Sequence, residues 1–135
     1  MEVAPKNTET TKKWGKQGSL VNGTLSSLGT GKNNTELIYN KMTSWGETDT
    51  AVQYCKNLVV GGYDGWFLPS LDEYKRMRTE LYNNSLGQFL ENELYTTSTE
   101  YDADNAKVYS FLNGGENQFL KSVATNRYIR AVRRF

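Results

Sequence analysis

Carboxylates gather once in this sequence, at Glu100, Asp102 and Asp104, with Asn105 beside them. Hard oxygen donors this close would suit a calcium ion if a turn folded them together, but their spacing is not that of a helix–loop–helix calcium loop. As an acid pair for glycoside hydrolysis they lack an apolar neighbour that would raise one pKa above the other. A solvated acidic loop is the reading this set favours, and no metal ion is expected. A second grouping, Gly29-Thr30-Gly31-Lys32, has the glycines and lysine of a phosphate cradle. The phosphate loop also needs an earlier glycine and a Ser or Thr directly after the lysine, and Ser26 and Asn33 stand there instead. No cofactor is expected.

The residue types that are missing exclude more. The 135 residues contain no histidine, which removes Ser-His-Asp and Cys-His nucleophile systems, a His-ligated zinc and an imidazole base. The single cysteine, Cys55, shares helical spacing with Ala51, Tyr54, Leu58 and Val59 and reads as a buried structural thiol. The chain is therefore expected not to be an enzyme. Sixteen basic against fifteen acidic residues give a net charge of +1, so nothing electrostatic points to nucleic acid. Lys121, Arg127, Arg130, Arg133 and Arg134 crowd the end of the chain and could face an anionic polysaccharide. Strand alternation divides them, and salt-bridged surface cations are the expectation. No apolar run is long enough to span a bilayer, so no membrane insertion is expected.

The elements that must carry these residues fall into two groups, within what the length predicts to be one domain over residues 1–135. After a loop-rich start around a short Glu2-Val3-Ala4 strand, Asn34-Thr35 precede Leu37, Ile38 and Met42 as a capped short helix. A second helix is predicted over 48–60. Ser70 and Glu73 form a capping box after Pro69, and Leu71, Tyr74, Met77 and Leu81 line one face of a third. Beyond Leu94 the pattern turns to short Tyr, Val, Phe and Thr runs, and Asn113-Gly114-Gly115 marks a hairpin between 106–112 and 116–122. This predicts an α+β fold, with helices in the first two-thirds and an antiparallel meander in the last third.

Three stretches read as one signature: Gly61-Gly62-Tyr63-Asp64-Gly65-Trp66-Phe67-Leu68-Pro69-Ser70-Leu71-Asp72-Glu73-Tyr74, then Tyr95-Thr96-Thr97-Ser98-Thr99-Glu100, then Ile129-Arg130-Ala131-Val132-Arg133-Arg134-Phe135. Together with Glu2-Val3-Ala4-Pro5 and Lys13-Trp14-Gly15, they resemble the C-terminal domain family of the Legionella collagen-like adhesin. That family is a branch of the C-type-lectin-like fold, related to the formylglycine-generating-enzyme superfamily and to retroelement-diversified variable proteins. The resemblance implies paired terminal strands and a binding role; turn chemistry, the capping box and helical spacing make Trp66, Pro69, Ser70, Glu73 and Cys55 structural residues. The family often has Trp where this chain has Thr96, and packing rebuilt around Tyr95, Tyr109 and Phe111 is the expected compensation.

The stretch 95–127 mixes tyrosine with small polar residues, a composition suited to recognition because rigid amphipathic rings combine with adaptable hydrogen bonding. Tyr101, Asp102, Asp104, Asn105, Lys107, Tyr109, Asn117, Phe119 and Asn126 are the expected ligand-binding positions. The leading expectation is a non-enzymatic extracellular module, on a bacterial surface or phage particle, that recognises a cell-surface glycan or protein. The alternatives are a retroelement-diversified receptor-binding protein and a structural oligomerisation domain, trimeric or otherwise.

Overall fold

Each helix starts where a side chain meets backbone amides that the helix itself leaves unpaired. In the helix Leu71–Glu80, which becomes α3 below, the Ser70 hydroxyl accepts from Glu73 N while the Glu73 carboxylate accepts from Ser70 N at 2.9 Å. This is the capping box its spacing predicts. A second box, Thr50 with Gln53, opens α2 at Ala51–Asn57. That helix is shorter than the expected 48–60, because Leu58 turns extended and ends it.

Helix α1 spans Gly31–Ser44 and begins three residues before the expected Asn34. Asn34 and Thr35 are not caps. Both are buried in the first turn, and the Asn34 amide ties Leu25 and Ser98 to the helix. Its cap comes from elsewhere in the chain: Glu73 Oε2 accepts from Gly29 N at 2.9 Å and Gly31 N at 3.1 Å. One carboxylate therefore closes the N-termini of α1 and α3 together. A Cβ at position 31 would collide with the Glu73 carboxylate, so only glycine fits there.

The computed structural model describes residues 1–134 and is an α+β fold with three α-helices and a mixed sheet. Phe135, the end of the terminal signature stretch, lies outside the described residues. Strands β1 (Glu2–Val3) and β7 (Val132–Arg133) pair antiparallel, joining the two ends of the chain. The main sheet contains β2 (Thr10–Thr11), β3 (Leu94–Glu100), β4 (Asn105–Tyr109), β5 (Glu116–Leu120) and β6 (Arg127–Ile129), in the order β2-β6-β3-β4-β5.

Strands β3, β4 and β5 form the expected antiparallel run, but the last third is not a simple meander. From the β5 edge the chain crosses over and lays β6 parallel to β3, with Tyr95 opposite Tyr128. Lys121 sets the crossing: its N–H donates to Asp104 O, and its carbonyl accepts from Trp14 N. The early segment read as loop supplies β2, which covers the free side of β6.

Two cores lie on opposite faces of β3. One is aromatic: Phe111 meets Tyr95 edge-on at 5.1 Å and Tyr109 at 5.4 Å, and Tyr74 of α3 stacks 6.2 Å from Tyr109. The other gathers Trp14, Ile38, Met42, Val52, Cys55 and Trp66 between the sheet and the first two helices. Thr96 points to this second side. It pairs with Val108 and lines a cavity of about 10 Å³ with Trp14 and Phe119. Tyr95, Tyr109 and Phe111 do cluster, but on the far face, so they do not stand in for a ring at position 96.

Strand β3 is polar and buried, and its hydroxyls are used. Thr97 donates to Lys107 O at 2.8 Å, Thr99 donates to Leu25 O and accepts from Leu71 N, and Ser98 accepts from Asn34. A central strand of threonines thus bonds α1, α3 and the early loop at once, with its buried polar atoms paired.

Candidate binding surface

The expected site begins at the turn 101–105, which joins β3 to β4. Asp102 Oδ1 accepts from Asp104 N, Asn105 N and Asn105 Nδ2 at 2.9, 2.7 and 3.1 Å. Against some desolvation, these donors and the charge of Lys121 hold the Asp102 carboxyl below its ordinary range. Asp102 is therefore spent on shaping the loop. Glu100, the fourth oxygen donor of the sequence grouping, turns inward to Lys121 at 2.6 Å and accepts from Val21 N and Asn22 N. Among the described residues no three carboxylate, cysteine or histidine side chains converge as a metal set.

The nine expected ligand positions are divided by the sheet. On one side Tyr101 is half exposed, and Lys107 lies 4.9 Å over its ring with its ammonium 3.4 Å from Gln118 Oε1. Asn105 stands on the same face of β4 as Lys107, and Asp102 shapes the turn that leads into it. Register puts Asn117 opposite Val108 and Phe119 opposite Ala106, hence on the other face, where Phe119 lies under the Arg127 guanidinium at 4.3 Å. Asn126 is exposed with φ of 57°, a left-handed turn position that asparagine tolerates, so its role is at least partly conformational.

Tyr109 is a correction. Its side chain is 2% exposed inside the aromatic core, because α3 covers this end of the face that carries Asn105 and Lys107. Burial pushes its hydroxyl above the ordinary tyrosine range, and the ring is not available to a ligand.

Two of the expected surface cations are also corrected. Lys121 and Arg130 are salt-bridged but buried, at 0% and 3% exposure. Arg130 donates to Ala4 O at 2.6 Å, Glu9 Oε2 at 2.8 Å and Gly87 O at 2.6 Å, and stacks 4.8 Å from the Phe89 ring. These cations build the frame. Arg133 pairs with Glu2 at 2.9 Å and so fastens β1 to β7.

Residues given frame roles lie inside the protein. Trp66 and Leu68 anchor the turn before Pro69, and Gly61 and Gly62 take positive φ at the centre of the tight turn that bridges Val60 and Tyr63. Cys55 is fully buried on α2, and burial pushes its thiol far above the ordinary range. The Gly29–Lys32 stretch does hold an anionic group, the Glu73 carboxylate from its own chain, which takes the amides a phosphate would need.

No helix among the described residues is long and apolar enough to cross a membrane. No family model matches the chain, and no curated protein matches its sequence.

Sequence reasoning missed one concave feature. A cleft of about 500 Å³ runs along α2, lined by Tyr39 of α1 and by Asp49, Tyr54, Asn57 and Val59. Tyr54 and Val59 sit at the spacing that marks a buried helix face, yet Val59 is 65% exposed because the helix ends before it. The signal available in the sequence was the polar pair Gln53 and Asn57, one turn apart on the same helix.

Proposed function

We propose that this chain is a non-enzymatic, extracellular binding module of C-type-lectin-like architecture, akin to the C-terminal domain of the Legionella collagen-like adhesin. It sits on a bacterial surface or phage particle and recognises a cell-surface protein or glycan. The observation that carries this reading is the Tyr101–Lys107 pair beside Gln118, partly exposed on a rigid support. Below it the frame is fixed by the two buried ion pairs, Glu100 with Lys121 and Glu9 with Arg130. A fixed scaffold under a mixed aromatic and polar surface suits recognition, since little ordering is left to be lost on binding. The surface carries no deep pocket, which favours a protein or an extended chain over a small enclosed ligand. Paired terminal strands support the lectin-like architecture.

The test is binding of labelled protein to a panel of bacterial and animal cells, comparing the parent with Tyr101→Ala/Lys107→Ala and with Lys32→Ala on α1. Loss in the double variant alone supports the reading. Equal binding by all three overturns the location, and no binding to any cell overturns the role. Sedimentation of the same variants separates the assembly alternative: an oligomer that dissociates in the double variant while ligand binding persists would favour it.

A further inference from the structure

We propose a second binding site, for a neutral saccharide ring, in the cleft along α2. It lies on the helical side of the fold and does not rest on the reading of the late sheet. Its volume of about 500 Å³ falls within the range of small-molecule sites, roughly 300–1,000 Å³. Two tyrosines from different helices flank it, and each already has a cation over one side of its ring: Lys56 Nζ lies 4.7 Å from the Tyr39 centroid, and Lys12 Nζ 5.8 Å from that of Tyr54. Both lysines are themselves neutralised, Lys56 by Glu36 at 2.6 Å and Lys12 by Asp49 at 2.5 Å. The cleft thus presents rings without an uncompensated charge, which disfavours sulfated, phosphorylated or carboxylated ligands as well as cations.

Its polar groups fit the edge of a sugar. The Asn57 side chain is exposed and makes no hydrogen bond among the described residues, so its amide offers two donors and an acceptor to neighbouring hydroxyls. The Thr48 hydroxyl at the rim offers a second pair. The Tyr54 hydroxyl, in contrast, donates to Thr8 O, which fixes that ring as a preformed platform. An apolar C–H face of a pyranose needs such a platform, with Val59 extending it. Only one carboxylate, Asp49, lines the cleft and it is already paired, so recognition here needs no calcium.

The experiment is an amide-resolved NMR titration of the intact chain, first in the presence of a chelator and then with calcium added in its place. The probes are glucose, galactose, mannose, N-acetylglucosamine and two neutral disaccharides, each taken to its solubility limit, with a proline-rich peptide as the competing ligand. The expected result is saturable shifts at Tyr39, Thr48, Asn57 and Val59 for at least one sugar, weakened at least about tenfold by Asn57→Ala. Asn57 is exposed, so this variant keeps its fold, and Lys32→Ala, on α1 outside the cleft, should bind as the parent does. Four results would overturn the proposal: no saturable shifts from any sugar, shifts confined to residues 101–126, dependence on added calcium, or saturation by the peptide alone.

Discussion

Cations in the last third of this chain follow two fates. Lys121 and Arg130 are taken inside and bonded on several sides. Lys107 and Arg127 are only partly buried and rest on aromatic rings, Tyr101 and Phe119, and the Arg127 Nε is buried without a hydrogen-bond partner among the described residues. What separates them is the partner that reaches them. Glu100 and Glu9 approach the buried pair with further backbone groups, whereas Lys107 meets only an amide and a distant Glu116 carboxylate at 3.9 Å. Removing a charge from water is offset only when its hydrogen bonds are completed inside, and that condition is met at two positions. The fully buried cations hold the frame, and the partly buried ones lie against aromatic rings.

If that division holds, Arg130→Met should have the largest effect. It strands the carbonyls of Ala4 and Gly87 and removes the contact with Phe89, so both the N-terminal segment and the loop after α3 lose their anchor. Breaking a buried pair from one side costs about 3–5 kcal/mol, which urea denaturation would read directly. Glu9 keeps Lys6 and the Tyr95 hydroxyl as partners, so the stranded carbonyls and the lost Phe89 contact make up the larger share of that loss. Lys121→Met should cost a similar amount, because Glu100 would remain buried with no cation. The sharper version adds Glu100→Gln: with both charges gone part of the loss should be recovered, the rest remaining because the Gln amide turns an N–H toward Val21 N or Asn22 N. A double variant as unstable as the single one would mean that the backbone bonds of Lys121 and Glu100, rather than their charges, hold the early loop.

Glu73 breaks the pattern, since it is a buried carboxylate with no cation. Burial raises its pKa above the ordinary value of 4.5, against the Ser70, Gly31 and Gly29 amides that favour its charged form. The folded state therefore binds the proton more tightly than the unfolded state does. The stability this contributes is fully present below 4.5 and is lost as pH rises through the folded pKa. Glu73→Gln cannot titrate, and its amide would also turn N–H groups toward N–H groups, so it should be less stable throughout. The gap between parent and variant should be widest in acid and narrow toward neutral pH in urea melts. A gap that widens with pH would show that the three amides outweigh burial.

What was legible in the sequence follows the same division between local and distant partners. Helix α3 could be read because Ser70 and Glu73 cap each other three residues apart, and the β4–β5 hairpin because Asn113-Gly114-Gly115 marks its turn. The second job of Glu73, capping α1 from 42 residues away, left no local trace. Nor did the fate of the cations: Arg130 and Glu9 are 121 residues apart, and in the sequence Arg130 looks like its neighbours Arg133 and Arg134. Tyr109 was misplaced for a related reason. Asn105, Lys107 and Tyr109 share one face of β4, and only the position of α3 decides which end of that face is covered.

The smallest effect on stability should come from Tyr101→Ala, and its smallness is informative. Tyr101 belongs to the same tyrosine-rich third as Tyr95 and Tyr109, yet it is 53% exposed, and its ring lies against the Lys107 ammonium. A thermal midpoint within about 2 °C of the parent is expected, since surface substitutions away from caps, cavities and buried charges rarely cost more. A double-mutant cycle with Lys107→Ala should return a coupling of no more than about 1 kcal/mol, the range of an exposed cation–π contact. A much larger coupling, or a fall in midpoint like that of Lys121→Met, would make Tyr101 and Lys107 part of the support. The boundary between frame and contact surface would then move outward to the 101–105 turn, and the cell-binding comparison would have to be repeated on Asn117 and Phe119 of the opposite face.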